Sequence, residues 1–501
     1  MDSGRTLDTT ADTPVDTTLD TTVVILGAGL AGTTLAHRLH AAGIDFRLVD
    51  PQVGDTVELP PLSKSLFTPE LTTTGYPRTW DASHEIAGTA VEVHAEEHTV
   101  TLSVEVAPAD EADRAARTFD MGGGFTAYAP LHRQVIVGYR TLVVATGMHA
   151  RTYPEPLPGG TVHELRSRGD AEIVRTRLTA LSADWPDEDP HLDIGVLGSG
   201  FLALELARGA ADAGHHPTVY LRGDRPLPGL TPTTGRALMD LHAAAGVAFV
   251  ENADPSDYGS HALWLAAVGA AANAESLPSG WSRRANGTIE VDAHLRPVAA
   301  PEASRTPGVH VIGDAATIVE GPMAAFGRLE SEPMAMSQAE WLGEYLVAGS
   351  GSGEAETDRR ATAPWTTTPW HWSFQGAVRV FTVGDSAASV ARRQGTVVED
   401  LDTLVLGDVE AGTFQVLLFD APEEGSRDGS HDGGEAVAGG EARVSGEARL
   451  VGVETVGLPA AHNAARKVFD GGLRPTRAEA ATEGFTFKSH YRSLSGASRT
   501  P

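Results

Sequence analysis

Thr22-Val23-Val24-Ile25-Leu26-Gly27-Ala28-Gly29-Leu30-Ala31-Gly32 begins as a β-branched run and breaks into glycines. The run reads as a short buried parallel strand. A helical stretch follows to about Ala42, and Phe46-Arg47-Leu48-Val49-Asp50 is a second strand ending in an acid. The three pieces make one βαβ unit. Each glycine has a task in it. Gly27 permits the tight turn out of the strand, Gly29 lets backbone approach a pyrophosphate, and Gly32 lets the helix pack on the sheet. The phosphates then meet the free N–H groups at the start of the helix, beside Leu30 and Ala31. Asp50 follows Gly27 at about the ~20-residue spacing of an acid that bonds a ribose 2′-hydroxyl.

The pattern recurs about 170 residues later. Ile194-Gly195-Val196-Leu197 is a strand, Gly198-Ser199-Gly200-Phe201-Leu202-Ala203 a glycine loop entering a helix, and Thr218-Val219-Tyr220-Leu221 the closing strand. Ala203 takes the third small position, which the pattern allows. Where an acid would serve NADH, this unit has Leu221-Arg222. Leu221 cannot accept a bond from a 2′-hydroxyl, whereas Arg222 can pair with a 2′-phosphate, which favours NADPH over NADH. In an arginine-rich chain the same residue also fits a solvated surface position.

Further strands end in Ala145-Thr146-Gly147 and in Gly313-Asp314. The expected fold is α/β: two Rossmann-like dinucleotide-binding domains plus a C-terminal α+β domain. Residues 1–21 read as a leader without fixed structure. Residues 22–151 and 273–350 read as a discontinuous first domain, and 152–272 as the second. Residues 351–363 read as a linker and 364–490 as the third domain, with a structureless loop at 421–446. In that domain, residues 378–384, 413–420 and 449–456 read as strands and 460–469 as a helix.

Composition narrows the function. A net charge of −29 argues against a nucleic-acid partner. No stretch reaches the ~18 apolar residues that span a bilayer, and the N-terminus has no apolar signal core, so a cytoplasmic protein is expected. No histidine spacing suggests a metal site. Cysteine is absent, which rules out a redox-active disulfide in this chain. Lysine occurs only as Lys64, Lys467 and Lys488, against 35 arginines.

Five segments together carry a family resemblance: Gly27–Gly32, Pro60-Pro61-Leu62-Ser63-Lys64, Ala145-Thr146-Gly147, Gly313-Asp314 and Gly327-Arg328-Leu329-Glu330-Ser331. Pro369-Trp370-His371-Trp372-Ser373-Phe374-Gln375 adds an aromatic motif. The chain resembles the two-dinucleotide flavoproteins of the pyridine nucleotide-disulfide oxidoreductase superfamily. Within it, the likeness is to the NAD(P)H-dependent ferredoxin/rubredoxin reductases, the group that includes the apoptosis-inducing-factor type.

The resemblance implies FAD in the first domain and NADPH or NADH in the second. It implies that Asp314 bonds the ribityl chain, that Glu330 and Ser331 lie at the flavin, and that Trp372 sets an aromatic near it. Lys64 is expected beside flavin N5, held by Glu205, although Glu205 read alone fits an ordinary helix-surface acid. The implied reaction passes electrons from a nicotinamide nucleotide through flavin to a ferredoxin or similar one-electron carrier. A quinone or small-molecule reductase, or a slow flavin-binding signalling protein, are the alternatives. Two departures bear on carrier docking: Leu59 stands where the group usually has arginine before Pro-Pro-Leu-Ser-Lys, and Phe374 replaces an acid. Trp365 and Trp370 read as core.

Overall fold

The computed structural model describes residues 15–106, 108–122, 125–128, 131–154, 156–183, 191–301, 306–349, 363–420 and 447–497. The expected linker, except Ala363, and the expected loop at 421–446 lie outside them. The chain divides into two compact units. The first comprises the described residues of Met1–Glu58, Thr74–His149 and Ala271–Trp365, and the second those of Leu59–Thr73, Ala150–Ala270 and Thr366–Pro501.

The first unit is built on a parallel core. Strand Val15–Leu26 lies between Phe46–Asp50 and the long strand Leu131–Val144, which pairs in turn with Val309–Val311. Val24, Ile25, Leu48 and Val143 have essentially no exposed surface, as expected for strands covered on both faces. The first strand starts at Val15, inside the expected leader. Its threonine- and valine-rich stretch pairs along Leu131–Val144 in register from Thr17 onward, so β-branched backbone finds a ladder partner that composition did not reveal. Helix Leu30–Ala41 follows the first glycine loop, and helix Glu332–Gly349 packs against it.

The second unit contains the second βαβ unit and the C-terminal segment together. Its parallel sheet orders Ala248–Val250, His216–Tyr220, Asp193–Leu197, Leu263–Ala266 and Val162–Glu164. Helix Phe201–Asp212 leaves the glycine loop. The C-terminal segment is an antiparallel five-stranded sheet with Trp370–Gln375 at one edge, followed by helices that include Pro459–Asp470. Leu204, Leu230 and Leu238 share a buried cluster with Val380, Phe414, Val416 and Val456. That shared core makes one unit of what read as two domains.

The segment Leu59–Thr73, expected within the first domain, belongs to the second unit. Its helix Pro60–Ser65 buries Leu62, and with Leu66 this residue packs among Ala203, Leu206, Ala207 and Ala210. Arg175 donates to the carbonyls of Ser65, Leu66, Thr68 and Pro69. Apolar burial and four carbonyl bonds outweigh chain proximity.

Candidate active site

The first glycine loop has the shape its residues demand. Gly27 adopts φ +107°, and a Cβ there would lie 2.2 Å from the Ala145 carbonyl oxygen. The loop therefore rests directly on Ala145-Thr146-Gly147. A Cβ at Gly32 would lie 1.9 Å from the Gly27 carbonyl oxygen, so the helix cannot retreat from the turn. At Gly29, by contrast, a Cβ would meet nothing within 4 Å. Two glycines are closed by backbone and the middle one faces open space at the helix start, as a phosphate cradle requires.

Asp50 braces this cradle. One carboxylate oxygen accepts from the Ala28 N–H at 2.9 Å and the other from the Gln52 N–H at 2.8 Å. Thr146 donates to the Asn273 carbonyl at 2.7 Å, and the Asn273 amide donates back to the Thr146 carbonyl at 2.8 Å. Asn273 stands in no sequence motif, and only the fold brings it to Thr146. Gly313 adopts φ +69° against Ala31, and its N–H donates to buried Gln338 at 2.6 Å. This fixes the turn that carries Asp314. Glu330 pairs with Arg328, and the Ser331 carbonyl accepts from Met334 and Ala335, the first turn of helix Glu332–Gly349.

The second unit repeats the cradle. Gly198 adopts φ +137°, with the Ala267 carbonyl oxygen 2.4 Å from where its Cβ would be, while Gly200 faces open space. The Ser199 carbonyl accepts from the Leu227 N–H at 2.7 Å. Phe201 and Leu202 open the helix, and Ala203 is buried against the sheet. Leu221 is fully buried, whereas Arg222 is exposed. Nearby, Arg225 is held by Asp224 at 3.1 Å and Glu399 at 2.9 Å.

The same unit brings together Lys64, Glu205 and Trp372. Lys64 Nζ lies 3.0 Å from Glu205 Oε2, donates to the Pro60 carbonyl at 3.1 Å, and stands 5.0 Å from the Trp372 ring centroid. Glu205 is 9% exposed, so it is no helix-surface acid. Its Oε2 also accepts from Ser63 at 2.5 Å and its Oε1 from Ser373 at 2.7 Å. Gln375 donates to Ser373 at 3.2 Å. A buried carboxylate with three donors holds one cation in one place, because moving the lysine would leave a desolvated charge unpaired. Ser63 and Ser373 both sit inside motifs quoted above, but only the fold shows that they converge.

Phe374, in place of the family's acid, lies under Arg379, whose guanidinium is 4.3 Å from the ring centroid. Trp370 is capped by Arg466 at 3.9 Å, and Trp365 is 1% exposed. Among the described residues no His, Asp and Glu cluster could hold a metal, and no helix is long and apolar enough to cross a membrane.

Rhodocoxin reductase of Rhodococcus erythropolis is 26% identical over 490 residues, covering 93% of each chain. The ferredoxin–NAD(+) reductase component of the p-cumate 2,3-dioxygenase system of Pseudomonas putida is 26% identical, over 80% of this chain and 88% of its own. Among solved structures, a ferredoxin reductase from Rhodopseudomonas palustris aligns with TM-score 0.66 and 23% identity, over 93% of this chain and 99% of its own. A putidaredoxin reductase in covalent complex with putidaredoxin aligns with TM-score 0.64 and 22% identity, over 96% and 99%. Residues 21–339, which include both glycine cradles, match the family described as pyridine nucleotide-disulphide oxidoreductase. With two such cradles and that match, the chain belongs to the pyridine nucleotide-disulphide oxidoreductase family.

Proposed function

We propose that this protein takes a hydride from NAD(P)H onto FAD and hands the electrons singly to a ferredoxin-type iron–sulfur protein. The observation that carries the reading is two complete dinucleotide cradles in a chain without cysteine. Members of the family that reduce disulfides pass electrons to a thiol pair, and this chain has none to receive them. The relatives named above are reductases of small redox proteins, which supports a one-electron carrier as acceptor.

The first unit would supply the FAD cradle through Gly27, Gly29 and Gly32, with Asp50 and Asp314 toward the ribose and ribityl hydroxyls. The second unit supplies the nicotinamide-nucleotide cradle through Gly198, Gly200 and Ala203, and its C-terminal segment completes that unit's core. Bound flavin supplies a two-electron acceptor that can release electrons one at a time. The protein's part is to seat both dinucleotides and to keep a cation where negative charge develops. We assign that cation to Lys64, positioned by Glu205 with Ser63 and Ser373. Arg222, exposed beyond the buried Leu221, would take a 2′-phosphate, so NADPH is the proposed donor. The cytoplasm is the proposed location.

Stopped-flow reduction of the FAD-loaded protein with NADPH and NADH, followed by mixing with ferredoxins, quinones and oxygen, tests the reading. Fast reduction and fast reoxidation by a ferredoxin are expected. Reoxidation by quinone alone would move the acceptor class, and slow reduction with a persistent charge-transfer band would favour a signalling role.

A further inference from the structure

Strand Trp370–Gln375 alternates between two faces. Trp370, Trp372 and Phe374 share one, and His371, Ser373 and Gln375 the other. Ser373 meets Glu205. Phe201 lies four residues before Glu205 and therefore on the same helix face, one turn closer to the glycine loop. His371 meets it there: the two rings are 4.7 Å apart at 42°. A two-residue step on the strand thus matches one turn of the helix. Ser373 serves the Lys64–Glu205 pair, and His371 is set one step toward Gly200.

Neither ring nitrogen of His371 has a hydrogen-bond partner among the described residues. Burial, with the nearby Lys64 charge, pushes the imidazole down to about 4. The charge that acts on it is that of Lys64, from helix Pro60–Ser65. At neutral pH the ring is uncharged and carries one N–H donor and one acceptor nitrogen.

We propose that His371 is a specificity-determining residue whose N–H donates to the carboxamide oxygen of the nicotinamide ring. The inference rests on the proposed use of NAD(P)H. Under that proposal the open space at Gly200 would take the nucleotide's phosphates, and Phe201, the next residue, meets the imidazole. A neutral donor adds no second positive charge against the cationic ring that hydride loss leaves behind.

The test compares FAD-loaded wild type with His371→Phe, which keeps a ring on Phe201 but no donor, and His371→Gln, which restores an amide N–H. Dissociation constants come from the concentration dependence of stopped-flow flavin reduction. The donor is whichever of NADH and NADPH reduces the wild type, and its thionicotinamide analogue replaces the carbonyl with a weakly accepting sulfur. His371→Phe should weaken the natural nucleotide about tenfold, as expected for one lost hydrogen bond in a partly buried site, and the thio analogue less than about threefold. His371→Gln should recover part of the difference. Equal weakening of both nucleotides, or no weakening in His371→Phe, overturns the assignment. A wild-type flavin that no nicotinamide nucleotide reduces would instead remove the functional reading, and this inference with it.

Discussion

Replacing Lys64 with methionine keeps the chain length and removes the charge that Glu205 was buried to hold. At 3.0 Å and an effective dielectric near 20, the pair's gross attraction is about 5–6 kcal/mol. The lysine is 23% exposed, so water screens part of this, and both groups are partly desolvated. A net coupling of about 2–3 kcal/mol is the expected remainder. Lys64→Met leaves Glu205 with two serine donors and no cation, and it should lose about that much stability. Glu205→Gln should lose less, because the freed lysine can turn to water. The double variant should be more stable than the summed losses by about 2 kcal/mol.

Urea unfolding of the cofactor-free proteins, followed by tryptophan fluorescence, closes the cycle. Additivity within about 0.5 kcal/mol would show that the two residues do not act as a unit, and the positioning argument would fail. A second readout separates stability from redox tuning. With FAD bound, Lys64→Met should lower the two-electron flavin potential by about 20–60 mV, equivalent to ~1–3 kcal/mol. Glu205→Gln should move it less. The double variant should regain stability but not potential, a split that a merely structural lysine would not produce.

The glycines of the first loop should separate folding from binding. Gly27→Ala, with its Cβ against a backbone carbonyl and φ positive, should be destabilised by several kcal/mol, seen as a large drop in melting temperature. Gly29→Ala should melt like wild type without cofactor yet bind FAD at least about tenfold more weakly; unchanged affinity would mean that the open space is not the pyrophosphate's. Arg222→Ala should raise the KM for NADPH about tenfold, the loss of ~1.5 kcal/mol from one charge-assisted contact, and leave NADH unaffected. Equal losses would dismiss its phosphate role. Glu454 is fully buried, accepts from the Thr231 N–H at 2.9 Å and hydroxyl at 2.6 Å, and is held above its usual value by burial. Its folded form binds a proton more tightly than its unfolded form, so its contribution is complete below about 4.5 and is lost as pH rises through the raised value. Melting temperature should therefore fall less between pH 5 and pH 8 in Glu454→Gln than in wild type, and parallel profiles would refute this.

The two glycine loops, their strands and helices, and the acid at Asp50 were legible because their signals are local. A β-branched run, a glycine where φ must be positive and a 3.6-residue period need no distant partner to be recognised. Helix Leu30–Ala41 ends within a residue of the expected limit, and strand Val378–Gly384 has the expected limits. The missing cysteines likewise removed a mechanism with no reference to the fold. What the sequence could not decide is which segment packs with which. Leu62 and Leu66 lie outside the second βαβ unit in the chain yet fill its core, and so carry Lys64 to a glutamate 141 residues away. The resemblance named Glu205 as the partner of Lys64, but only the fold shows Ser63 and Ser373 closing over it. Asn273, Gln338 and His371 matter only through what the fold sets beside them. Burial and hydrogen-bond satisfaction are properties of all the segments that converge on a point, and no stretch of one segment contains them.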